Sequence, residues 1–304
     1  MSATCLSQIS DKEFTFDGRP ICFFQARDEI LRLPAFYSHY RALGFTRFVA
    51  IDHESSDGTK EFLLEQTDTT VYSGRGNYIH NREIWQNALL DRYGIGRWCL
   101  TVDCDELFVY HCAETRSISE LCDYLERRGA RAVIAPLVDF YSALSIEETA
   151  YKPGTPFLST CPYFDGNFYQ YKPLTRCPWI SVAGGVRQRV FFPGEDGPEL
   201  IKVPLVKWQT DVRYTSPHHL TDTPISSLRG ALLHFKFFHD FSSRVRHAVE
   251  TLNHWNFSSE YCHYFSVLKR HPHLNLFLEA QSVCYESTVS IQRLGLCNAE
   301  RGWR

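Results

Sequence analysis

Short apolar runs alternate with segments of helical spacing through the first half of the chain, and this alternation constrains the fold more than any other feature. The predicted strands lie at 21–24, 47–51, 69–72, 98–102 and 132–135. The predicted helices lie at about 34–44, 56–66, 81–93 and 118–125. Strands that alternate with helices form a mostly parallel sheet covered by helices. The sequence therefore predicts an α/β fold.

Within the helix at 81–93, the spacing predicts that Ile84, Ala88 and Leu89 face the core. The second half is less regular. Residues 151–179 are rich in proline, glycine and aromatic residues, which is typical of a long ordered loop over a site. Strands are predicted at 185–192, 201–206 and 231–238, and a helix at 242–252. With no linker or repeat, the halves 1–145 and 146–304 are predicted to form one compact unit.

Charge and cysteine usage exclude some classes of protein. A net charge of −3 gives no basic excess, so no nucleic-acid partner is expected. The 11 cysteines include no C-x-x-C pair, which favours reduced thiols over a zinc site. We expect no signal peptide and no transmembrane segment, and hence a cytoplasmic location. Peripheral contact with a membrane stays open.

The segment Asp103-Cys104-Asp105 is the sharpest chemical feature. It follows the predicted strand 98–102, and residues two apart on a strand share a face. Two carboxylates about 4 Å apart repel each other by roughly 4 kcal/mol at an effective dielectric constant near 20. A divalent cation reverses this sign, and hard oxygen ligands suit Mn²⁺ or Mg²⁺. The alternative is a solvated turn or a helix cap.

A second acidic segment follows the strand at 47–51. Asp52 stands at the strand end, where its carboxylate could accept hydrogen bonds from a ribose or a base. Asp57 lies near the start of a predicted helix, whose free N–H groups favour anions. The alternative for Asp57 is that it only caps this helix.

The motifs, in the order in which they occur along the chain, resemble those of the family 2-like glycosyltransferases of GT-A fold. The resemblance covers about residues 20–110. The matching segments are Arg27-Asp28-Glu29, Ser56-Asp57-Gly58-Thr59 after Asp52, and Asp103-Cys104-Asp105-Glu106. The resemblance implies a GT-A (Rossmann-like) mixed, mostly parallel sheet with flanking helices and a C-terminal acceptor-side elaboration. It also implies that residues 1–145 bind a nucleotide sugar and that residues 146–304 form the acceptor side.

The resemblance carries site residues as well. It implies that Asp52, Asp57 and segment 27–29 lie near the nucleotide, and that Asp103 and Asp105 approach the metal and the diphosphate. The chain departs from the family pattern at two places. Asp28 stands where the family usually has Asn, and His53-Glu54 replace Asn-Gly. Losing that glycine makes a turn with positive φ costly there.

Family members often add a late histidine near the metal, and Leu233-His234-Phe235 resembles that segment. On a strand, His234 and Lys236 would share a face and could present an imidazole to the metal and an ammonium to phosphate. The alternative is a buried core histidine. The arginines that could contact phosphate are Arg75, Arg82, Arg187 and Arg189. For Arg187 and Arg189 an exposed basic edge is the alternative.

Direct displacement by an acceptor hydroxyl needs a group that removes its proton. Asp139 and Asp165 are the candidate bases. The sequence thus predicts metal-dependent, inverting transfer from a nucleotide diphosphate sugar, with a UDP-sugar favoured, to a carbohydrate or glycoconjugate acceptor. Two alternatives stay open, namely a nucleotidyltransferase and a non-catalytic carbohydrate-binding relative.

Overall fold

A computed structural model describes residues 5–12, 17–167, 169–173, 180–195, 197–252, 255–300 and 302–303. Within the predicted loop 151–179, residues 168 and 174–179 lie outside this described part.

The described elements alternate strands and helices in the first half and become less regular in the second. The helices are α1 Leu33–Ala42, α2 Thr59–Glu65, α3 Tyr78–Tyr93, α4 Ile118–Arg127, α5 Phe241–Thr251, α6 Trp255–Arg270 and α7 Thr288–Gln292. The strands of the first half are β1 Leu6–Gln8, β2 Ile21–Ala26, β3 Phe48–Asp52, β4 Thr69–Gly74, β5 Trp98–Thr101, β6 Glu106–Val109 and β7 Ala132–Tyr141. Those of the second half are β8 Tyr163–Asp165, β9 Gln170–Pro173, β10 Ile180–Ala183, β11 Ile201–Lys207, β12 Ala231–His234 and β13 Ser282–Cys284. A 3₁₀ turn spans Phe157–Ser159, and a π-helical turn spans Arg187–Phe191.

One mixed sheet organises the molecule. Its order is β1-β4-β3-β2-β5-β11-β7-β12-β6, and β8 and β13 extend it from β7. Strands β2, β3, β4, β5, β7, β12 and β13 run in one direction, and β1, β6, β8 and β11 run in the other. The fold is therefore the predicted α/β type, a mixed sheet with flanking helices. Strands from residues 1–145 and from residues 146–304 pair within it.

The long strand β7 joins the two halves of the sheet by changing partners along its length. Its first part pairs with β11, its middle with β12 and its end with β8. Because β12 also pairs with β6, His234 at the end of β12 lies beside Asp139 of β7 and Glu106 of β6. Three distant segments of the chain thus meet at the end of one short strand.

Helix α1 shows how local sequence sets these elements. Pro34 occupies its first turn, where the missing N–H costs no hydrogen bond. Phe36 and Tyr40 are fully buried, and Gly44 ends the segment with a φ of 102°. As predicted, Pro34 lies in the first turn of this helix and Gly44 follows its end, although the helix already begins at Leu33.

In helix α3 the predicted inward face was wrong for Ile84 and Ala88 and right for Leu89. Ile84 is 50% exposed and Ala88 is also exposed, whereas Trp85 and Leu89 are buried. The larger apolar area of Trp85 sets the rotation of this helix.

Two strand predictions in the second half were also wrong. One segment forms no strand, and the other forms a shorter strand than predicted. Residues 185–192 form no strand, because Gly184 and Gly185 have positive φ and the chain then enters the π-helical turn. Strand β12 ends at His234, and the last contact in its register is the hydrogen bond from Phe235 N–H to the carbonyl of Asp105 at 2.8 Å. Lys236 therefore does not share a strand face with His234.

Candidate metal and donor site

The acidic segment after β5 forms a tight turn rather than a continued strand. Glu106 N–H donates to the carbonyl of Asp103 at 3.1 Å, and Glu106 Oε2 accepts from Asp103 N–H at 3.0 Å. This turn sends the two aspartate side chains to different partners. Asp103 lies 2.6 Å from Lys202 Nζ, and Asp105 lies 3.3 Å from His234 Nε2. Asp103 and Asp105 therefore do not share a face, because the alternation of a strand does not continue into the turn.

Asp105, Glu106 and His234 form the group that could hold a metal ion. One ligand atom from each lies within 4.8 Å of the others. Pairing of β12 with β6 sets His234 directly opposite Glu106. The sequence reasoning named Asp105 and His234, which the structure brings together, but did not name Glu106 as a ligand. The signal for Glu106 was its place in the Asp-x-Asp-Glu segment.

Behind His234 stands a carboxylate that fixes its ring. Asp139 Oδ1 lies 2.6 Å from His234 Nδ1, and Asp139 Oδ2 accepts from Arg187 Nε at 2.7 Å. A proton on Nδ1 shared with Asp139 leaves Nε2 directed at Asp105. Metal-binding histidines are usually held by such a carboxylate, which sets the tautomer and the ring orientation.

His234, Asp105 and Asp139 shift one another's pKa values toward the charged forms. Burial lowers the pKa of His234, but Asp105 and Asp139 outweigh it and raise the pKa above its ordinary value. Burial raises the pKa of Asp105, but His234, Arg32 and Arg244 together hold it well below the usual range. Burial acts likewise on Asp139, where Arg187 and His234 lower the pKa to about 2. Both carboxylates are therefore ionised at neutral pH.

The donor set fits a divalent ion. Two carboxylates and an imidazole within 4.8 Å match the oxygen and nitrogen ligands of Mn²⁺ and also allow Mg²⁺. Both ions keep positions for water or substrate phosphate, so three protein ligands are sufficient.

A narrow pocket opens beside Asp103. Its apolar walls include Phe23 and Leu89, and Arg82 and Lys202 lie at its polar end. Arg82 Nη2 lies 3.7 Å from Asp103 Oδ1. Two cations beside a partly exposed carboxylate make this end of the pocket suitable for a phosphate group.

The loops after β2 and β3 are held together by hydrogen bonds to acidic side chains. Asp28 Oδ1 accepts from Ser56 N–H at 2.7 Å. Asp57 accepts from Ile30 N–H at 3.1 Å and from Thr59 N–H at 2.9 Å. Asp57 thus accepts from the first N–H of α2, whose N-cap residue is Gly58, and also ties the two loops together.

Asp28 and Glu54 depart from the family pattern, but both have the positive φ that asparagine and glycine favour. Asp28 has a φ of 54° and Glu54 a φ of 55°. The positive-φ turn is therefore present without the glycine, at the conformational cost that the sequence predicts. The turn is kept with a glutamate in a conformation that costs about 1–2 kcal/mol for a residue with a Cβ.

Glu54→Gly is expected to stabilise the protein by about 0.5–1 kcal/mol, because glycine adopts positive φ without strain. Urea unfolding measures this change. Glu61→Gly is the matched control, since Glu61 is also exposed but lies in helix α2. There glycine is expected to destabilise by about 1 kcal/mol. If Glu54→Gly and Glu61→Gly changed the free energy of unfolding in the same direction, backbone strain at Glu54 would be contradicted.

Glu29 belongs to an ionic cluster rather than to an open loop. It is buried, accepts from Arg244 Nη2 at 2.6 Å and lies 3.5 Å from Arg32. Arg32 in turn makes two hydrogen bonds to Asp240, at 2.8 and 2.9 Å. Sequence reasoning missed Arg32 and Arg244, although their charges act on Asp105.

Asp52 is buried at the end of β3, where burial raises its pKa. Its Oδ1 atom has no hydrogen-bond partner in the described part of the chain. A buried carboxylate oxygen without a partner is costly in a folded protein unless a ligand satisfies it.

The remaining predicted residues lie apart from the metal group or are already paired. Arg27 and Arg75 are exposed in loops. Lys236 Nζ lies 3.5 Å from Glu260 and 4.9 Å from the Tyr264 ring centroid. Asp165 is fully buried and is held by Arg189 with two hydrogen bonds of 2.9 Å.

No described helix is long and apolar enough to cross a membrane. No protein-family model matches the sequence, and no curated protein sequence matches it significantly. Among solved structures, the chain is similar to S. aureus TarS, with a TM-score of 0.34 and 9% identity, over 84% of this chain and 44% of that one. It is also similar to the inositol-1-phosphate CTP transferase from T. maritima, with a TM-score of 0.27 and 11% identity, over 92% of this chain and 95% of that one. The chain thus spans less than half the length of TarS.

Proposed function

We propose that this chain is a glycosyltransferase that moves a sugar from a nucleotide diphosphate donor to a carbohydrate or glycoconjugate acceptor and depends on Mn²⁺ or Mg²⁺. One observation carries the proposal. Asp105 and His234 come from opposite halves of the chain, and they meet with Glu106 within 4.8 Å at the sheet. Asp139, behind His234, adds the support that a metal-binding imidazole requires.

A divalent ion at Asp105, Glu106 and His234 would stabilise the negative charge that develops on the departing diphosphate. The protein groups do the rest of the positioning. Asp139 holds His234 in one orientation, and Arg187 holds Asp139. Arg82 and Lys202 offer positive charge to the diphosphate at the polar end of the pocket.

The nucleoside part of the donor is assigned to the loops after β2 and β3. Asp52 Oδ1 is buried and has no hydrogen-bond partner among the described residues, so it is suited to accept a hydrogen bond from a ribose hydroxyl or a base N–H. Asp28 and Asp57 fix the two loops around it through their backbone hydrogen bonds. We retain a UDP-sugar as the favoured donor because of the family resemblance.

The geometry favours a positioning role for the two candidate bases. The Asp139 side chain is 2% exposed and the Asp165 side chain 0% exposed, and each is paired with an arginine. An acceptor hydroxyl could reach neither carboxylate without opening these pairs. We therefore assign Asp139 to His234 and Asp165 to the scaffold around the π-helical turn.

Calorimetric titration with a panel of nucleotide sugars, with and without Mn²⁺, tests this function. We expect one donor to bind at least about tenfold tighter with Mn²⁺, since the ion would bridge protein and diphosphate. A matched titration with the nucleoside monophosphate should show little dependence on the metal. Turnover should release a nucleoside diphosphate. Release of pyrophosphate from a nucleoside triphosphate would instead indicate nucleotidyl transfer, and metal-dependent binding without any turnover would indicate a non-catalytic relative.

A further inference from the structure

A buried lysine stands against the acidic turn, and the sequence reasoning did not single it out. Lys202 lies on β11, between β5 and β7. Between Lys202 and Leu205 the register of β11 against β7 shifts by one residue, and Pro204 lies within this shift. Bulges of this kind tolerate proline and redirect side chains. Lys202 lies directly before this irregularity and is the last residue of β11 in the first register.

The ammonium of Lys202 bridges two carboxylates of the acidic segment. Its Nζ lies 2.6 Å from Asp103 Oδ2 and 2.5 Å from Glu106 Oε1. The Lys202 side chain is only 9% exposed and that of Glu106 only 2%. The contact with Glu106 is therefore shielded from water, where charge interactions are strong, whereas the Asp103 side chain is 41% exposed.

Two carboxylates are the partners that a buried ammonium requires, since a charge is buried in a protein only when it is paired. Lys202 and Asp103 thus form an ion pair that needs no metal.

Lys202 also touches one of the three candidate metal ligands. Glu106 belongs to the metal group, and the same carboxylate is bonded to Lys202. A cation at the metal group would have to share Glu106 with an ammonium and would be repelled by it. Asp103 is held by Lys202 and is not part of the metal group.

We infer that Lys202 is a resident counter-cation of the acidic turn, which weakens the binding of a divalent ion to the protein alone. The ion is then retained mainly when the donor diphosphate supplies further ligands, so metal and donor bind together. The second statement rests on the proposed function, whereas the first concerns the protein and the ion only.

The test compares Lys202→Met with the parent protein by measuring free Mn²⁺ through its electron paramagnetic resonance signal. Removing the ammonium frees two carboxylates, and we expect Mn²⁺ to bind about tenfold tighter or more without nucleotide. Lys207→Met is the matched control, because Lys207 lies on the same strand and pairs with Glu126 at 2.7 Å, away from the turn. It should leave the Mn²⁺ affinity unchanged. Lys202→Arg keeps the charge and should also bind Mn²⁺ as the parent does.

Equal or weaker Mn²⁺ binding by Lys202→Met would overturn the inference. If this variant unfolds without metal, recovery of its melting transition in Mn²⁺ but not in NaCl supports the inference. Failure to recover in saturating Mn²⁺ contradicts it. The proposed function is judged separately, by donor binding to the parent protein. If the parent protein does not bind a donor, the proposed function is wrong. The ratio of the Mn²⁺ affinities of Lys202→Met and the parent protein still tests the inference.

Discussion

Asp105→Asn is expected to lower sugar transfer by about 1000-fold or more, because one metal ligand is lost where charge develops on the leaving group. Asparagine has nearly the same shape, and we expect the circular dichroism spectrum to be retained. Turnover is measured as release of nucleoside diphosphate at saturating donor and metal.

Asp211→Asn is the matched control, because the Asp211 side chain is 70% exposed and its carboxylate lies 3.7 Å from Arg131. This variant should keep full turnover. Parent-like turnover and parent-like Mn²⁺ affinity in Asp105→Asn would show that Asp105 is not a ligand.

Arg187→Met is expected to destabilise the protein by about 3–5 kcal/mol, the range found when one partner of a buried ion pair is removed. The pair between Arg187 and Asp139 is 2.7 Å long, with side-chain exposures of 5% and 2%. The variant leaves the Asp139 carboxylate buried with His234 as its only described hydrogen-bond partner. Urea unfolding followed by fluorescence measures the loss.

The control is Arg131→Met, which removes an exposed arginine from a 3.7 Å pair with Asp211. A surface pair of this kind contributes at most about 1 kcal/mol. In Arg187→Met/Asp139→Leu, where no charge stays buried at this pair, we expect part of the stability to return. A loss under 1 kcal/mol in Arg187→Met would contradict the assigned role of this pair.

The α/β half was predictable because its elements are set locally. Buried strands have continuous apolar runs, and Pro34 and Gly44 mark the limits of α1. The contact between Asp105 and His234 was suggested only by the order of motifs, since no local pattern reports a pairing between β12 and β6. Sequence periodicity also gave the wrong face of α3, where the size of Trp85 decides the rotation.

The positions of the arginines were not predictable from spacing. Arg187 and Arg189 have the two-residue separation of a strand, but a π-helical turn carries them to Asp139 and Asp165. Lys202 had a weak signal, namely a lysine two residues before a proline in an otherwise apolar run. A charge in such a run requires a buried partner, but the sequence does not say which carboxylate it is.

Pulsed electron paramagnetic resonance of Mn²⁺ bound with UDP tests the central claim most directly, because it reports the nuclei next to the ion. Our account predicts two couplings in one sample, from the imidazole nitrogen of His234 and from phosphorus of the diphosphate. The nitrogen coupling should disappear in His234→Gln while Lys207→Met keeps both. A spectrum of the parent protein without the nitrogen coupling, or one unchanged in His234→Gln, would contradict a metal site at Asp105, Glu106 and His234.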